Sequence, residues 1–271
     1  MIKFFRNIRN SLLTEGKTSK YLKYALGEII LVVLGILIAL QLNNWNQTRL
    51  EQIKIKQYAK SLIDDLNNDI GMIKVSQYQS AKKYKMIDSL RKYILTTPTA
   101  ELSSTFLYTV AHDIMYRPYK WHRSTLNELK SSGAMSYFNS DSLQKKIAAY
   151  ESFSIHLDED FEFDKSNADK LDNFTSSIID LNSSHLDKLL EKEGSNFSNY
   201  EFNIYETEEY AISVANDLKL ISYDPTQLKK FINTLILIQN NYQTRAFNEM
   251  HDISEDAKSI ISVLRNAYNL E

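Results

Sequence analysis

A chain of 271 residues with six glycines, three prolines and no cysteine holds little of the turn chemistry that a sheet-rich fold uses, which favours a mainly helical protein. The missing cysteines exclude disulfides, thiolate nucleophiles and cysteine-ligated zinc. With 32 basic and 34 acidic residues, a net charge of −2, the chain as a whole has no attraction for nucleic acid, while 43% hydrophobic residues argue against wholesale disorder.

The charge is unevenly placed. Residues 1–23 carry Lys3, Arg6, Arg9, Lys17, Lys20 and Lys23 against Glu15 alone, a local charge of +5. Within them Ile2, Phe5, Ile8 and Leu12 recur at helical spacing, the pattern of an interfacial helix on an anionic inner leaflet, with a frayed basic tail as the plainer reading. Tyr24 to Leu42 follows, YALGEIILVVLGILIALQL, and its length of about 28 Å as a helix approaches the roughly 30 Å hydrocarbon layer of a bilayer. A buried core helix would also accommodate the apolar run Ile29 to Leu40. The basic flank before the run, and Asn43, Asn44 and Trp45 after it, favour a membrane span. No small-residue cleavage site follows Leu42, so the segment is expected to stay as an anchor. The positive N-terminal flank predicts a cytoplasmic N-terminus and a domain outside, in a single-pass protein of a bacterial inner membrane, although Arg49, Lys54, Lys56 and Lys60 reduce the asymmetry. The expected organisation is a basic segment over 1–23, a transmembrane helix over 24–45 and a periplasmic helical domain over 46–271.

The stretch MIKFFRNIRNSLLTEGKTSKYLKYALGEIILVVLGILIALQLNNWN, with its GEI from Gly27 and QLNNWN from Gln41, resembles the N-terminal signature of an uncharacterised family of Bacteroidetes membrane proteins with one anchor and a helical domain. Further along, TLNELKSSG from Thr125 to Gly133 is a fainter echo. The resemblance implies an inner-membrane protein and supplies no activity, cofactor or catalytic residue.

Beyond the anchor, Leu62, Leu66, Ile70 and Ile73 form one helical stripe and Tyr84, Ile87, Leu90 and Ile94 another, stopped by Thr97 and Pro98. No glycine or proline interrupts Gly35 to Ile70, which would let this helix continue from the anchor. Thr99 to Asp113 reads as a shorter helix. A junction follows at MYRPYKWHR, where Pro118 disfavours helix at Arg117. Thr125 and Glu128 have the spacing of a capping box for a short helix that ends at Gly133.

Asn139 or Ser140 can cap the next helix, with stripe residues Leu143, Ile147, Tyr150, Leu157 and Phe161, then Leu171, Phe174, Ile178 and Leu181, and a bend expected at the acidic run Asp158 to Asp164. Gly194 to Asn199 reads as a loop and Tyr200 to Leu220 as a helix. Asp224, Pro225 and Gln227 supply an N-cap, a first-turn proline and a third-position glutamine, with Tyr223 and Leu228 placed as a staple. From there one stripe runs Leu228, Ile232, Leu235, Tyr242, Ala246, Met250, Ile253, Ala257, Ile260 and Leu264, roughly 60 Å of helix. The fold class predicted is therefore all-α: an N-terminal transmembrane helix followed by an antiparallel bundle of long helices. The 17 tyrosines and 12 phenylalanines fit the core and rim of such a bundle.

Chemical constellations are sparse. His112, His122, His156, His185 and His251 form neither H-E-x-x-H nor E-x-x-H. His156 and Glu159 share a helix face, an ordinary pairing. The run HLDEDFEFDK lacks the sixth-position glycine of a calcium loop, and no G-x-S-x-G or glycine-rich phosphate loop occurs. The expectation is no cofactor, no metal and no enzyme. Two places rise above background. Glu28, Val32, Gly35 and Ala39 fall on one face of the anchor, where Gly35-x-x-x-Ala39 allows close helix approach, so this face is a candidate for self-association into a homo-oligomer; the alternative is a Glu28 carboxylate snorkelling towards Lys20 or Lys23. In MYRPYKWHR, Arg117, Lys120 and Arg123 alternate with Tyr116, Tyr119 and Trp121, a pattern suited to an acidic ligand or partner. Nucleic acid is an improbable target outside the cytoplasm, and an aromatic corner closing the bundle, with its arginines in solvent, is the plainer reading. The candidate patch is Arg117, Tyr119, Lys120, Trp121 and Arg123. The functional expectation is a membrane-anchored interaction or assembly module whose partners are the lipid bilayer and a protein. The alternative is an extracytoplasmic small-ligand sensor or transport accessory, although only about twenty residues precede the anchor to carry a signal inward.

Overall fold

The computed structural model describes residues 18–114, 118–182, 184–195, 202–217 and 219–270, and among them no strand occurs. Two compact units are present, Met1–Tyr58 and Ala59–Glu271. Residues 46–58 thus group with the anchor segment.

In the first unit, helix α1 (Thr18–Thr96) exposes every side chain from Ile29 to Leu50. Ile29, Ile30, Leu31 and Val32, which at about 100° per residue point to four sides of the axis, are each more than half exposed. A helix apolar on all sides without protein cover lacks the polar face a water-soluble helix needs. By length and composition it is able to cross a membrane.

The second unit is a helical domain with its own core. The α1 stripe Leu62, Leu66, Ile73, Ile87 and Leu90 is buried, as the spacing predicts, and Ile70 is only half-buried. The helix ends at Thr96, where Pro98 excludes the helical backbone from Thr97 and offers no amide proton of its own. Thr99 to Asp113 is not one helix. A single 3-10 turn (Thr99–Glu101) precedes α2 (Ser104–Asp113), because polar groups restart the chain. Ser103 Oγ accepts from the Phe106 amide, while Asp217 Oδ1 accepts from Ser104 Oγ, Thr105 N and Thr105 Oγ1, each at 2.9 Å.

The short helix α3 (Ser124–Ser131) begins at Arg123, without a side-chain cap of its own. Thr125 is already helical and buried, so the expected T-x-x-E box does not form. The Asp65 carboxylate on α1 takes its place, accepting from the Thr125 amide at 3.0 Å and from Ser124 Oγ at 3.2 Å. Gly133 follows with φ 72°, the left-handed residue after a helix end that glycine adopts without strain.

Ser140 Oγ then accepts from Leu143 N at the start of α4 (Asp141–Ile178). This helix runs 38 residues through the acidic run without a break. Beyond Ile179 lies α5 (Ser184–Ser195), which takes in Gly194; the rest of the expected loop, 196–199, and the first two residues of the helix expected after it lie outside the described residues. The helix expected over Tyr200–Leu220 is shorter, a 3-10 turn (Ile204–Glu206) and then α6 (Glu208–Ala215), capped by Thr207 Oγ1 on Tyr210 N.

Asp224 Oδ1 accepts from Thr226 N at 2.8 Å with Pro225 as the first residue of α7 (Pro225–Thr244). The long C-terminal stripe is buried except for the half-buried Ile232, but a π-turn (Arg245–Glu249) separates α7 from α8 (Met250–Tyr268). The α4 helix packs on both α7 and α8. The main apolar cluster joins Ile87 and Leu90 of α1, Leu107 and Val110 of α2, Leu171 of α4, and Phe231 and Leu235 of α7. At its edge Tyr242 Oη donates to the Ile114 carbonyl at 2.8 Å.

Asp217→Ala would take this acceptor from three donors near the start of α2, all of them on the buried residues Ser104 and Thr105. It should lower stability by about 2–3 kcal/mol, whereas Asp224→Ala, which removes an exposed cap, should lose about 1 kcal/mol. Urea unfolding of the detergent-solubilised full chain, followed by circular dichroism, measures both; equal losses would show that Asp217 acts only as an ordinary cap.

Candidate functional site

Of the anchor face, Val32, Gly35 and Ala39 are exposed, and Glu28 is intermediate. A side chain built at Gly35 would meet nothing within 4 Å. The small-residue side of α1 is therefore open to close approach.

Arg117 lies outside the described residues. The rest of the patch leads into α3 along one flank of α4, and its groups turn inward. Lys120 is exposed, while Tyr119, Trp121 and Arg123 are half-buried. Trp121 Nε1 donates to Asp158 Oδ1 at 3.0 Å, and Arg123 Nη2 donates to Asp158 Oδ2 at 2.8 Å and to Ser154 Oγ at 2.9 Å. The guanidinium sits 5.9 Å from the Trp121 ring centre, and Trp121 meets Tyr150 edge to face. Arg123 is thus matched by an α4 carboxylate rather than left in solvent.

Beside this pair, the buried Asp69 of α1 gathers two groups on His122 and one on Tyr150. Its Oδ1 accepts from the His122 amide at 2.8 Å and lies 3.0 Å from His122 Nδ1, while Tyr150 Oη donates to Oδ2 at 2.8 Å. Burial, and then the Asp69 charge, push the Tyr150 phenol far above its ordinary range, so Tyr150 remains a donor. Leu66, Asp69, Trp121, Ile147 and Ile260 are among the side chains that line a small, mostly apolar cavity under this junction.

A second ionic centre, which the motif search missed, lies at the π-turn. Arg245 is 5% exposed and its guanidinium serves three carboxylates. Nη2 and Nε both bond Asp164 Oδ2, the latter at 3.2 Å; Nη1 bonds Glu249 Oε2 at 3.0 Å and Asp160 Oδ2 at 3.4 Å. Asn241 Nδ2 completes the Asp164 shell at 2.6 Å. Burial works against the Arg245 charge, but Tyr119, Asp164 and Glu249 hold its pKa above the ordinary value. Burial raises the pKa of Asp164, opposed by Arg245. It raises that of Glu249 as well, helped by Asp160 and Asp164. The Tyr119 phenol, in the same field, is pushed up to about 12, first by burial. His156 Nε2 lies 3.5 Å from Asp160 Oδ2. Ligand atoms of His156, Asp160 and Glu249 all lie within 4.8 Å of one another, close enough, among the described residues, to hold a metal ion.

Arg245→Met removes the cation from among three carboxylates and should destabilise the chain by about 3–5 kcal/mol. Glu249→Gln should behave oppositely. A carboxyl whose folded pKa is raised favours folding below its unfolded pKa and loses that contribution as the pH rises through the folded value. At neutral pH the metal-free Glu249→Gln chain should therefore be at least as stable as the parent, with any gain vanishing towards pH 4. Thermal melts across pH test both, and a clear loss of stability in Glu249→Gln at neutral pH would show that the Arg245–Glu249 pair outweighs burial.

No curated protein sequence and no solved structure matches the chain. Residues 28–177 match DUF6090, a family of unknown function. The matched span opens at Glu28, takes in Asp69, the patch and nearly all of α4, and closes before Arg245 and Glu249. Covering more than half of the 271 residues, it identifies the chain as a member of the DUF6090 family.

Proposed function

We propose that this protein is a single-pass anchor of a bacterial inner membrane, with its N-terminus in the cytoplasm and an antiparallel helical bundle outside, and that it serves as an interaction or assembly module. The observation that carries the reading is the fully exposed apolar stretch of α1 in a chain whose other unit is a well-packed helical domain. The six basic residues of 1–23 support the orientation, because they would have to cross the membrane in the reverse one. The Tyr119–Arg123 segment enters this reading chiefly as bracing, with Asp158 holding Trp121 and Arg123, and Lys120 is its outward charge towards a protein partner.

Self-association is assigned to the Glu28, Val32, Gly35 and Ala39 face. Lipid tails give helices no hydrophobic reason to meet, so contact depends on close packing across small residues and on hydrogen bonds from polar ones. Because the chain has no cysteine, a single introduced thiol reports only the contact under test. Val32→Cys should form a disulfide-linked dimer in native membranes, and Gly35→Ile or Ala39→Ile in that background should reduce its yield several-fold while leaving insertion intact. Glu28→Gln should leave the yield unchanged if the carboxyl acts neutral, and lower it if a charge pair is needed. A Val32→Cys chain that does not crosslink would remove the self-association reading. Protease added to right-side-out spheroplasts should digest residues beyond Trp45; protection until lysis would reverse the orientation.

A further inference from the structure

We propose that His156, Asp160 and Glu249 form a binding site for one divalent first-row transition ion, with Zn2+ the ion that suits the donor set. His156 and Asp160 are one turn apart on α4, so both project from the same face. Glu249 reaches them from the last residue of the π-turn, and short π-segments within helices recur at functional sites. Tetrahedral Zn2+ at its usual bond lengths of about 2.0–2.2 Å separates adjacent ligand atoms by about 3.3 Å. The observed 3.5 Å between His156 Nε2 and Asp160 Oδ2 is close to that spacing, and the third ligand atom lies within 4.8 Å of both. One imidazole nitrogen with two carboxylate oxygens suits Zn2+ and its neighbours rather than Ca2+ or Mg2+, which prefer all-oxygen shells. Three protein ligands leave a fourth position open to solvent or a small ligand, and the half-exposed His156 ring, with 55% of its side chain accessible, lies on the open side.

The charge balance supplies an independent reason. Asp160, Asp164 and Glu249 carry three negative charges, and Arg245 is the cation that bonds all three. The cluster thus sets three acidic groups around one guanidinium, an excess of acidic side chains that a divalent ion would offset. Arg245 turns its Nε and Nη2 to Asp164, while Nη1 bonds Asp160 Oδ2 at 3.4 Å and Glu249 Oε2 at 3.0 Å, so a bound ion would share these two carboxylates with it. A carboxylate has about four lone-pair positions, so Asp160 and Glu249 can accept from Nη1 and still ligate an ion, with the guanidinium fixing their orientation.

The full chain, solubilised in detergent and stripped with a chelator, should take up one Zn2+ per chain in equilibrium dialysis followed by metal analysis, and should prefer Zn2+ to Mg2+ at least tenfold. His156→Gln and Glu249→Gln should each weaken Zn2+ binding tenfold or more. His251→Ala, at an exposed histidine outside the cluster, should bind like the parent. Circular dichroism confirms that the variants are folded, and Glu249→Gln removes a ligand without removing a packed side chain. Zn2+ should raise the melting temperature of the parent but not of the His156→Gln chain. Absence of stoichiometric uptake, equal affinity for Mg2+, or Zn2+ binding unchanged in both ligand variants would overturn the proposal.

Discussion

A guanidinium removed from water must be surrounded by acceptors, and the way Arg245 meets that demand organises the helical domain. Its partners Asp160 and Asp164 stand on consecutive turns of α4, while Glu249 is on its own π-turn. The bonds therefore pin the midpoint of α4 against the junction of α7 and α8. Apolar packing alone would tolerate sliding along such long stripes, since one leucine layer resembles the next. A buried charge with several directional bonds admits a single register, because any shift leaves an unmatched charge in a poorly hydrated place.

The same helix fixes the other side of the domain. Asp158, half a turn before Asp160, receives Trp121 and Arg123, and Tyr150 two turns earlier shares Asp69 with His122. Asp65, one turn before Asp69 on α1, accepts from the Thr125 amide and the Ser124 hydroxyl at the start of α3. The entry to α3 is thus anchored at several polar points, and Leu126, Leu129, Ala134 and Phe138 further along are buried in the core. Alternating aromatic and basic residues in that segment follow from this construction: the rings cover α4, and Arg123 reaches back to its carboxylate.

The sequence carries most of the elements, because helix stripes and local caps are local properties. The Leu62 and Leu90 stripes, the stop at Pro98, the Ser140 cap and the Asp224–Pro225 start can all be read from residues within a few positions of one another. What could not be read has a common cause. The α3 start is capped by Asp65, and the α2 start is reinforced by Asp217, so the partner lies far away in sequence; a T-x-x-E spacing at Thr125 then misleads. The site was concealed in the same way, since a motif search looks for ligands at fixed spacing while Glu249 is nearly ninety positions beyond Asp160. One signal was nevertheless present. Asp69, Asp164 and Arg245 all fall on faces whose neighbours are buried: Asp69 between Leu66 and Ile73, Asp164 between Leu157 and Leu171, and Arg245 between Tyr242 and Ala246. A charge on a core face requires a partner, and opposite charges on two such stripes are candidates for each other.

The boundary of the family match sharpens this point. It takes in Asp160 and Asp164 and ends at 177, so these two carboxylates lie inside the matched region and the guanidinium that bonds both lies outside. A helix with the α4 acidic run but without an Arg245 equivalent could not bury those carboxylates in ionised form, because desolvation would drive them towards protonation. It would instead expose that face to water, or hold a cation from another source. The C-terminal segment through α7 and α8 therefore decides whether the acidic run of α4 is a solvated surface or an ionic centre. In this chain it supplies both the guanidinium that bonds Asp160 and Asp164 and, through Glu249, the carboxylate that completes a three-ligand set with His156 and Asp160.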